Sequence, residues 1–264
     1  MVKIKTLLVI TIVLVLSNPA LSYAKEKSVK ISTLKDYAPF CIADESYKIN
    51  QIIPVGSDAE GFQGYSWDVV RESFHEMGYT IHLSITPWAR AMMDVKNGKT
   101  DILFPTGKNT ERKKIFLYSD ESVNRANYLI YVRTDNNIEW KGLDSLMGLT
   151  IGVKRGFSYG DKWNAAHELN KHIVNEIILG FEMLNAKRLD GFLGYEHNWD
   201  YVLKQKNWTT KFRKLPVFDF SAEYLVALKN NPNGKEILKA FDTGKKRLIK
   251  SGKLEKIKKK WFGN

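Results

Sequence analysis

Disulfide chemistry is almost absent from this sequence, which has a single cysteine, Cys41, among 264 residues. One thiol cannot form an internal disulfide, so stability has to come from a hydrophobic core. Cys41 also lies far from the end of the N-terminal apolar segment, and we therefore do not expect it to carry a lipid. With 44% hydrophobic residues, the chain can build a core as one large domain or as two smaller ones.

Signatures of catalysis and of metal binding are also missing. The five histidines have no metal-ligand spacing, and neither a Gly-x-Ser-x-Gly motif nor a complete phosphate-binding loop occurs. Glu196, Glu223 and Asp219 could form a pair of catalytic carboxylates, but nothing in the sequence fixes their separation. We therefore predict a protein that is not an enzyme and that uses no metal and no cofactor.

Long apolar runs are limited to the N-terminus. Lys3 and Lys5 precede an apolar stretch over residues 7–16, and Ser22-Tyr-Ala24 follows, which is the order of a secretory signal peptide. We predict residues 1–24 to be this signal, with cleavage after Ala24 and export to the periplasm. An uncleaved anchor is the alternative, although the apolar stretch is short for a bilayer span.

The net charge of +12 is concentrated at the ends of the chain. Residues 235–264 contain 11 basic and 3 acidic side chains, so the segment 25–234 carries only about +2. In the tail, Leu254, Ile257 and Trp261 fall on one helical face, which predicts a docked amphipathic helix with solvated lysines. We therefore expect no nucleic-acid partner; a tail that binds nucleic acid or lipid is the alternative.

Strand-like and helix-like patterns alternate along the rest of the chain and restart after residue 137. Such alternation predicts two α/β units in series, each with a mostly parallel sheet. A short echo between residues 95–104 and 184–193 supports two similar lobes. The predicted strands are residues 29–34, 80–85, 101–104, 149–155, 176–179, 189–194 and 223–229, and the predicted helices are residues 65–78, 87–98, 159–171 and 181–188, followed by two C-terminal helices that we expect to dock on the first lobe.

Arg112 and Ser158 each follow a predicted strand, in the segments "FPTGKNTER" and "RGFSYGD". Ligands of open α/β sheets bind outside the carboxyl ends of strands, so two such edges facing each other would form a cleft. A guanidinium at that edge can bind a carboxylate through two parallel hydrogen bonds. From spacing alone, Arg112 could equally be a surface charge or part of a structural salt bridge.

Four motifs, in order, resemble those of the bacterial extracellular solute-binding protein family 3, the periplasmic amino-acid receptors of ABC importers. They are "YAPF" at 37–40, "NGKTDILFPTGKNTERKKIFLYSDE" at 97–121, "LMGLTIGVKRGFSYG" at 146–160 and "GKLEKIKKKWFGN" at 252–264. The resemblance covers nearly all of the chain after the predicted signal. Because the last motif is the family's C-terminal signature, we expect no fused second domain.

The resemblance implies a two-lobed periplasmic-binding-protein fold of type II, in which two strands form a hinge between lobes that close on a ligand. We expect lobe 1 to comprise residues 25–132 plus 223–264, and lobe 2 to comprise residues 133–222. The implied partners are a small-molecule ligand and the membrane permease of an ABC importer, with the protein itself a monomer. A periplasmic enzyme similar to cyclohexadienyl dehydratase, or an orphan ligand sensor, is the alternative function.

The resemblance also implies roles for individual residues. Arg112 occupies the position that holds the ligand α-carboxylate, while Tyr37 and Trp88 match aromatic residues that pack over the ligand. Further positions that match the family are a donor position with the glycine after it and the loop of the second lobe: Thr106, Gly107, Phe157, Ser158 and Tyr159. Trp67 is one more aromatic candidate for the site. For each of these aromatic residues, a place in the hydrophobic core is the alternative. Asp101 and Asp190 match positions with structural roles at turns before strands.

The sequence departs from the family where the ligand α-ammonium should be bound. In place of the usual Asp after a strand of the second lobe stands Tyr195, with Glu196 one residue later. A slip of one residue at a strand end reverses the direction of a side chain, so Glu196 is not a simple replacement. Both residues are candidates for the site, and specificity for α-amino acids is left open.

Overall fold

The computed structural model describes residues 27–155 and 157–263. The predicted signal peptide, residues 1–24, lies outside the described residues. Thirteen strands occur in the described part of the chain: β1 (Lys27–Thr33), β2 (Asp36–Tyr37), β3 (Cys41–Ala43), β4 (Asn50–Ile53), β5 (Phe62–Gln63), β6 (Tyr79–Ile85), β7 (Ile102–Gly107), β8 (Phe116–Arg133), β9 (Thr150–Lys154), β10 (Asn170–Val174), β11 (Gly191–Tyr195), β12 (Phe212–Lys214) and β13 (Asp219–Leu228).

Eight α-helices and one 3-10 turn, Leu143–Leu146, connect these strands within the described residues. The helices are α1 (Tyr65–His75), α2 (Trp88–Lys96), α3 (Thr110–Ile115), α4 (Gly160–Ala165), α5 (Ile177–Asn185), α6 (Glu196–Gln205), α7 (Gly234–Lys250) and α8 (Lys253–Phe262).

The main sheet has the strand order β10-β9-β11-β8-β13-β7-β1-β6-β4, with β12 paired to β8. In one half, β1 pairs in parallel with β6 and β7, and in the other half β9 pairs in parallel with β10 and β11. The antiparallel pair β8 and β13 connects the two halves. We use lobe 1 for the half with β1, β4, β6 and β7, and lobe 2 for the half with β9 to β12.

Lobe 1 has helices on both faces of its sheet. Helix α1 buries Trp67, Val70 and Phe74, which recur at the spacing of one helical face, and α7 covers the same layer with Phe241. On the opposite face, α2 packs Val95 against the sheet. This layering is what a parallel sheet requires, since both of its faces are apolar.

The C-terminal helix docks on lobe 1, as its apolar stripe predicts. Leu254 and Ile257 are buried, and α8 packs against α1. Asp68, a buried carboxylate on α1, accepts hydrogen bonds from Lys260 Nζ and Trp261 Nε1, both at 2.7 Å. The Lys-Trp pair of the C-terminal motif is therefore tied into the lobe 1 core.

One strand and one helix of lobe 2 differ from the sequence-based prediction. Residues 176–179 do not form a strand, because Ile177 begins helix α5, and the strand of this region is β10. Helix α4 ends at Ala165 rather than at residue 171. Strand β10 is at the sheet edge with four of its five residues exposed, so its sequence lacks the apolar pattern that identifies a buried strand.

Candidate functional site

Arg112 lies at the carboxyl end of β7, in the short helix α3. Asn109 caps that helix by accepting a hydrogen bond from the Arg112 amide at 2.8 Å. The guanidinium donates from Nη1 to the Gly107 carbonyl at 3.1 Å, and its Cζ lies 5.6 Å from the centre of the Trp88 ring. The backbone and the indole therefore hold the half-buried guanidinium at the sheet edge, where the sequence placed it.

Glu223 lies on β13, directly opposite Gly107 in register. Its Oε2 accepts hydrogen bonds from Tyr37 Oη at 3.1 Å and from Asn124 Nδ2 at 2.6 Å. Burial raises the pKa of Glu223, and these two hydrogen bonds and the positive charge of Arg112 partly offset that effect. Arg112, in α3 just after β7, and Glu223, on the neighbouring strand β13, are thus opposite charges within electrostatic range of each other.

The first loop reaches this edge because it packs closely on the start of α1. The carbonyls of Pro39 and Phe40 accept hydrogen bonds from the Tyr65 and Ser66 amides at 2.9 and 3.1 Å. Gly64 makes this approach possible, since a Cβ at that position would lie 2.1 Å from the Phe40 carbonyl oxygen. The arrangement directs Tyr37 toward Glu223.

Lobe 2 contributes aromatic rings. The Tyr195 ring lies 4.8 Å from Phe157, 5.2 Å from Tyr128 and 5.6 Å from Tyr159, measured between ring centres. Its hydroxyl donates to the Ser158 carbonyl at 2.8 Å. Burial raises the pKa of Tyr195, and the negative charge of Glu223 contributes to the same shift, which places Tyr195 within electrostatic range of that carboxylate.

The two lobes are in contact around this group. Tyr195 packs against hydrophobic clusters of both lobes. Asn198 Nδ2, on α6 of lobe 2, donates to the Ala38 carbonyl of lobe 1. The His197 ring stacks on Phe262 of the C-terminal helix with 4.3 Å between ring centres. The structure therefore shows a conformation in which the lobes approach each other at Tyr195 and at the start of α6.

The structure brings most of the sequence-predicted residues to this junction and leaves others apart. Arg112, Trp88, Gly107 and Thr106 lie at or near the end of β7, and Tyr37, Phe157, Tyr159 and Tyr195 lie along the contact between the lobes. Ser158 takes part through its backbone carbonyl, and its side chain is exposed. The Thr106 hydroxyl is buried, and no donor or acceptor among the described residues pairs with it.

Trp67 and Glu196 have other partners. Trp67 is fully buried in the lobe 1 core, where its ring packs against Phe62 and its Nε1 donates to Asp58 at 2.8 Å. Glu196 accepts hydrogen bonds from Asn127 and from Lys214 in lobe 2, at 2.9 and 2.8 Å. The structure does not bring either side chain to Arg112.

Sequence reasoning missed the roles of Glu223, Asn124 and Tyr128 in this group. Glu223 was considered only as a possible catalytic carboxylate of undefined geometry. A usable signal was its position at the start of "EYLVALK", because an acidic residue in a central apolar strand is costly unless it has a partner or a function. Asn124 and Tyr128 lie within the long strand β8, and no motif marks them.

Two further observations concern metal binding and membrane spans. Among residues 27–155 and 157–263, no group of three or more His, Cys, Asp or Glu side chains could hold a metal ion. Within the same ranges, no helix combines the length and the apolar character that crossing a membrane requires.

Known proteins of similar sequence and fold were compared with the chain. The model of a family described as bacterial extracellular solute-binding proteins, family 3, matches residues 29–264. The chain is 26% identical over 215 residues to the L-cystine-binding protein TcyJ of Bacillus subtilis (strain 168), an alignment that covers 76% of each chain.

Two solved structures share the fold. The probable amino-acid ABC transporter extracellular-binding protein ytmK from Bacillus subtilis has a TM-score of 0.73 at 20% identity, covering 91% of this chain and 99% of that one. The L-cystine solute receptor of Neisseria gonorrhoeae, in its unliganded open conformation, has a TM-score of 0.68 at 24% identity, covering 91% and 94%. These similarities and the strand order confirm the predicted two-lobed fold of type II. The chain is therefore a member of family 3 of the bacterial extracellular solute-binding proteins.

Proposed function

We propose that this solute-binding protein captures a small amino acid or related carboxylate between its lobes, with Arg112 holding the carboxylate. The position of Arg112 carries the proposal. Its guanidinium is fixed by Gly107 and Trp88 but forms no salt bridge with a described residue. A half-buried guanidinium without an anionic partner is suited to bind one from a ligand.

Hinge closure supplies the mechanism. We place the point at which the chain crosses from lobe 1 to lobe 2 within β8. It lies between Val123, which packs in lobe 1, and Ala126, which packs in lobe 2. We place the return crossing near Glu223 on β13, next to the expected end of lobe 2 at residue 222. The crossing from lobe 1 to lobe 2 is therefore earlier in the chain than residue 132, the expected end of the first segment of lobe 1. The ligand would bind first to lobe 1, and closure would add Tyr195 and Phe157 from lobe 2.

The chemical class of the ligand rests partly on the relatives, since both TcyJ and the Neisseria receptor are named for L-cystine. The other support is the fixed guanidinium of Arg112, which suits a ligand with a carboxylate. We propose that the protein acts as a monomer in the periplasm and delivers its ligand to the membrane permease of an ABC importer. We propose that the protein does not convert its ligand chemically. Mass analysis of the ligand after prolonged incubation would detect a product.

Arg112→Ala tests the proposal. Thermal-shift screening of amino acids and small carboxylates identifies a stabilising ligand, because a ligand that binds the folded state raises Tm. Calorimetry on that ligand should then show a loss of about 2–4 kcal/mol in Arg112→Ala, since the ligand carboxylate would be buried without its partner. Arg112→Lys should lose most of this affinity, because lysine lacks the planar fork.

Arg90→Ala is the matched control, because Arg90 is an exposed arginine on the neighbouring helix α2. It should bind like the unchanged protein. Equal affinities of Arg112→Ala and Arg90→Ala would reject the proposal.

A further inference from the structure

Glu223 is a carboxylate at the lobe junction without a cationic partner. Its hydrogen bonds come from two neutral donors, Tyr37 Oη and Asn124 Nδ2. In the described part of the chain it forms no salt bridge, and Arg112 acts on it only at longer range. An unpaired carboxylate in such a place is expensive to keep, so a purely structural role explains it poorly.

A second unsatisfied group lies beside Glu223. Asn124 is directly opposite it in register on β8, and the side chain of Asn124 is buried. The Asn124 Nδ2 donates to Glu223, but its Oδ1 is buried and has no donor among the described residues. Because both atoms belong to one amide, the unpaired Oδ1 lies close to the carboxylate. The two side chains together offer acceptor atoms to a donor that these residues do not supply.

The surrounding hydroxyls favour a positively charged donor. Tyr37 contacts the carboxylate directly. Burial raises the pKa of both Tyr128 and Tyr195, and the charge of Glu223 adds to each shift, so their hydroxyls are within electrostatic range of it. The rings of Tyr128 and Tyr195 stack with 5.2 Å between their centres. Hydroxyl oxygens can accept hydrogen bonds, so they add acceptor atoms for a cationic donor near the carboxylate.

The alternative position for a cation, in lobe 2, is already occupied. Glu196 forms a salt bridge with Lys214 at 2.8 Å and accepts a hydrogen bond from Asn127. Its carboxylate is therefore neutralised within lobe 2. The neighbouring Tyr195 contributes a ring and a hydroxyl that donates to Ser158, and neither can neutralise a cation.

We propose that Glu223, Asn124 and Tyr37 form a subsite for a ligand ammonium group, so that the protein selects solutes with both an amine and a carboxylate. This inference rests on the proposed function, in which Arg112 holds the carboxylate. Glu223 and Gly107 are opposite each other on β13 and β7, and Gly107 anchors Arg112. The two ends of a zwitterion would thus bind at α3, just after β7, and on the neighbouring strand β13, and lobe 2 would cover the ligand with aromatic rings.

Sets of three probes on one skeleton test this proposal. The first set is L-cystine, 3,3′-dithiodipropionic acid, which lacks the amines, and cystamine, which lacks the carboxylates. The second set is L-arginine, 5-guanidinopentanoic acid and agmatine. The third set is L-glutamine, glutaramic acid and 4-aminobutanamide. Thermal shift and calorimetry are run on the purified protein, on Glu223→Gln and on the control Glu111→Gln, an exposed carboxylate next to Arg112.

We expect at least one amino acid to bind, with at least about tenfold weaker binding of both truncated probes of its set, the scale of one lost charged contact. Glu223→Gln keeps a carbonyl oxygen for Tyr37 and Asn124, so the fold is maintained, but it should weaken amino-acid binding about tenfold or more. Glu111→Gln should bind as the unchanged protein does.

The remaining outcomes overturn the proposal in distinguishable ways. The probe without an amine could bind as tightly as the amino acid of its set, and this binding could be lost in Arg112→Ala but not in Glu223→Gln. That result would reject the ammonium subsite and leave the proposed function standing. If the probe without a carboxylate bound as tightly as the amino acid, two claims would be rejected: the selection of solutes with both an amine and a carboxylate, and the role of Arg112. Failure of every probe to bind would reject both proposals.

Discussion

Asp101 in lobe 1 and Asp190 in lobe 2 occupy the same place in two similar α/β units. The Asp101 amide donates to the Lys30 carbonyl at 2.8 Å, and its carboxylate accepts from the Lys30 amide at 2.8 Å. Asp190 forms the same two bonds with Thr150, at 2.9 and 2.8 Å. The weak echo between residues 95–104 and 184–193 therefore reflects a shared device that fixes the start of one strand against its neighbour.

The lobes differ in what they present at the junction. Lobe 1 provides the charged groups, Arg112 and Glu223, whereas lobe 2 provides mainly the rings of Phe157, Tyr159 and Tyr195. Charged residues distinguish ligands by the charges that those ligands carry. Aromatic rings contribute apolar contact that depends little on direction. Under the proposed function, we infer that lobe 1 would determine which solutes bind and that lobe 2 would mainly stabilise the closed form.

The largest expected effect on stability is that of Tyr195→Ala. Tyr195 packs against clusters of both lobes, so its removal leaves a gap at their junction. We expect the free energy of unfolding to fall by about 2–3 kcal/mol, less than for a fully buried aromatic residue. Urea unfolding measures this change.

Tyr195→Phe is the control, because it keeps the ring and removes only the hydroxyl, which donates to Ser158, and it should cost about 1 kcal/mol. If alanine cost no more than phenylalanine, Tyr195 would not join the lobes as described.

The paired aspartates test the similarity of the lobes. Asp101→Ala and Asp190→Ala should each lower the free energy of unfolding by about 1–2 kcal/mol, because each leaves one backbone amide, of Lys30 or of Thr150, without its acceptor. Asparagine at either position retains an acceptor oxygen and should cost less. Urea unfolding of the four variants measures the effect, and a cost confined to one lobe would contradict the shared role.

Much of the fold and part of the site follow from sequence patterns. Helix α1 and strand β6 bury regular apolar faces, and Arg112 follows a buried strand with a capping Asn109, so local patterns are sufficient there. The edge strand β10 is mostly exposed, which removes the pattern and explains why residues 176–179 were predicted as a strand in its place.

The pairing of Glu223 with Tyr37 joins residues that are 186 positions apart, and no local pattern reports such a contact. Trp67 shows the opposite limit. Its aromatic character suggested a cleft residue, but its position on the apolar face of α1 places it in the core. Aromatic residue type alone does not separate a binding surface from a core.

A smaller effect is expected for Glu223→Gln in the absence of ligand. Burial raises the pKa of Glu223, so the folded state holds its proton more strongly than the unfolded state does. The stability that this group contributes is fully present below its unfolded pKa and is lost as pH rises through the raised folded value. Glutamine does not ionise, so the variant should be more stable than the unchanged protein near neutral pH.

Urea unfolding at about pH 7.5 and about pH 4.5 checks this prediction, since the difference should shrink at the lower pH. Glu111→Gln, the exposed control, should show no such change with pH. A Glu223→Gln variant that is less stable at neutral pH would show that lobe 1 gains stability from this carboxylate instead of keeping it for binding.

The smallest expected effect concerns His197, where lobe 2 contacts Phe262. Burial lowers the pKa of His197, although the carboxylates of Glu196 and Asp200 act in the opposite direction. The folded state therefore favours the neutral ring, and the stability it contributes is present above the unfolded pKa and is lost as pH falls. His197→Phe keeps a ring against Phe262, so its unfolding free energy should fall less between about pH 7.5 and about pH 5.5.

His167→Gln is the matched control, because His167 is an exposed histidine of the same lobe. If His197→Phe and the unchanged protein lost stability equally over this pH range, the stacked contact between the lobes would not depend on the neutral histidine. A difference confined to His197→Phe would show that the folded state, in which lobe 2 contacts Phe262, favours the neutral form of this histidine.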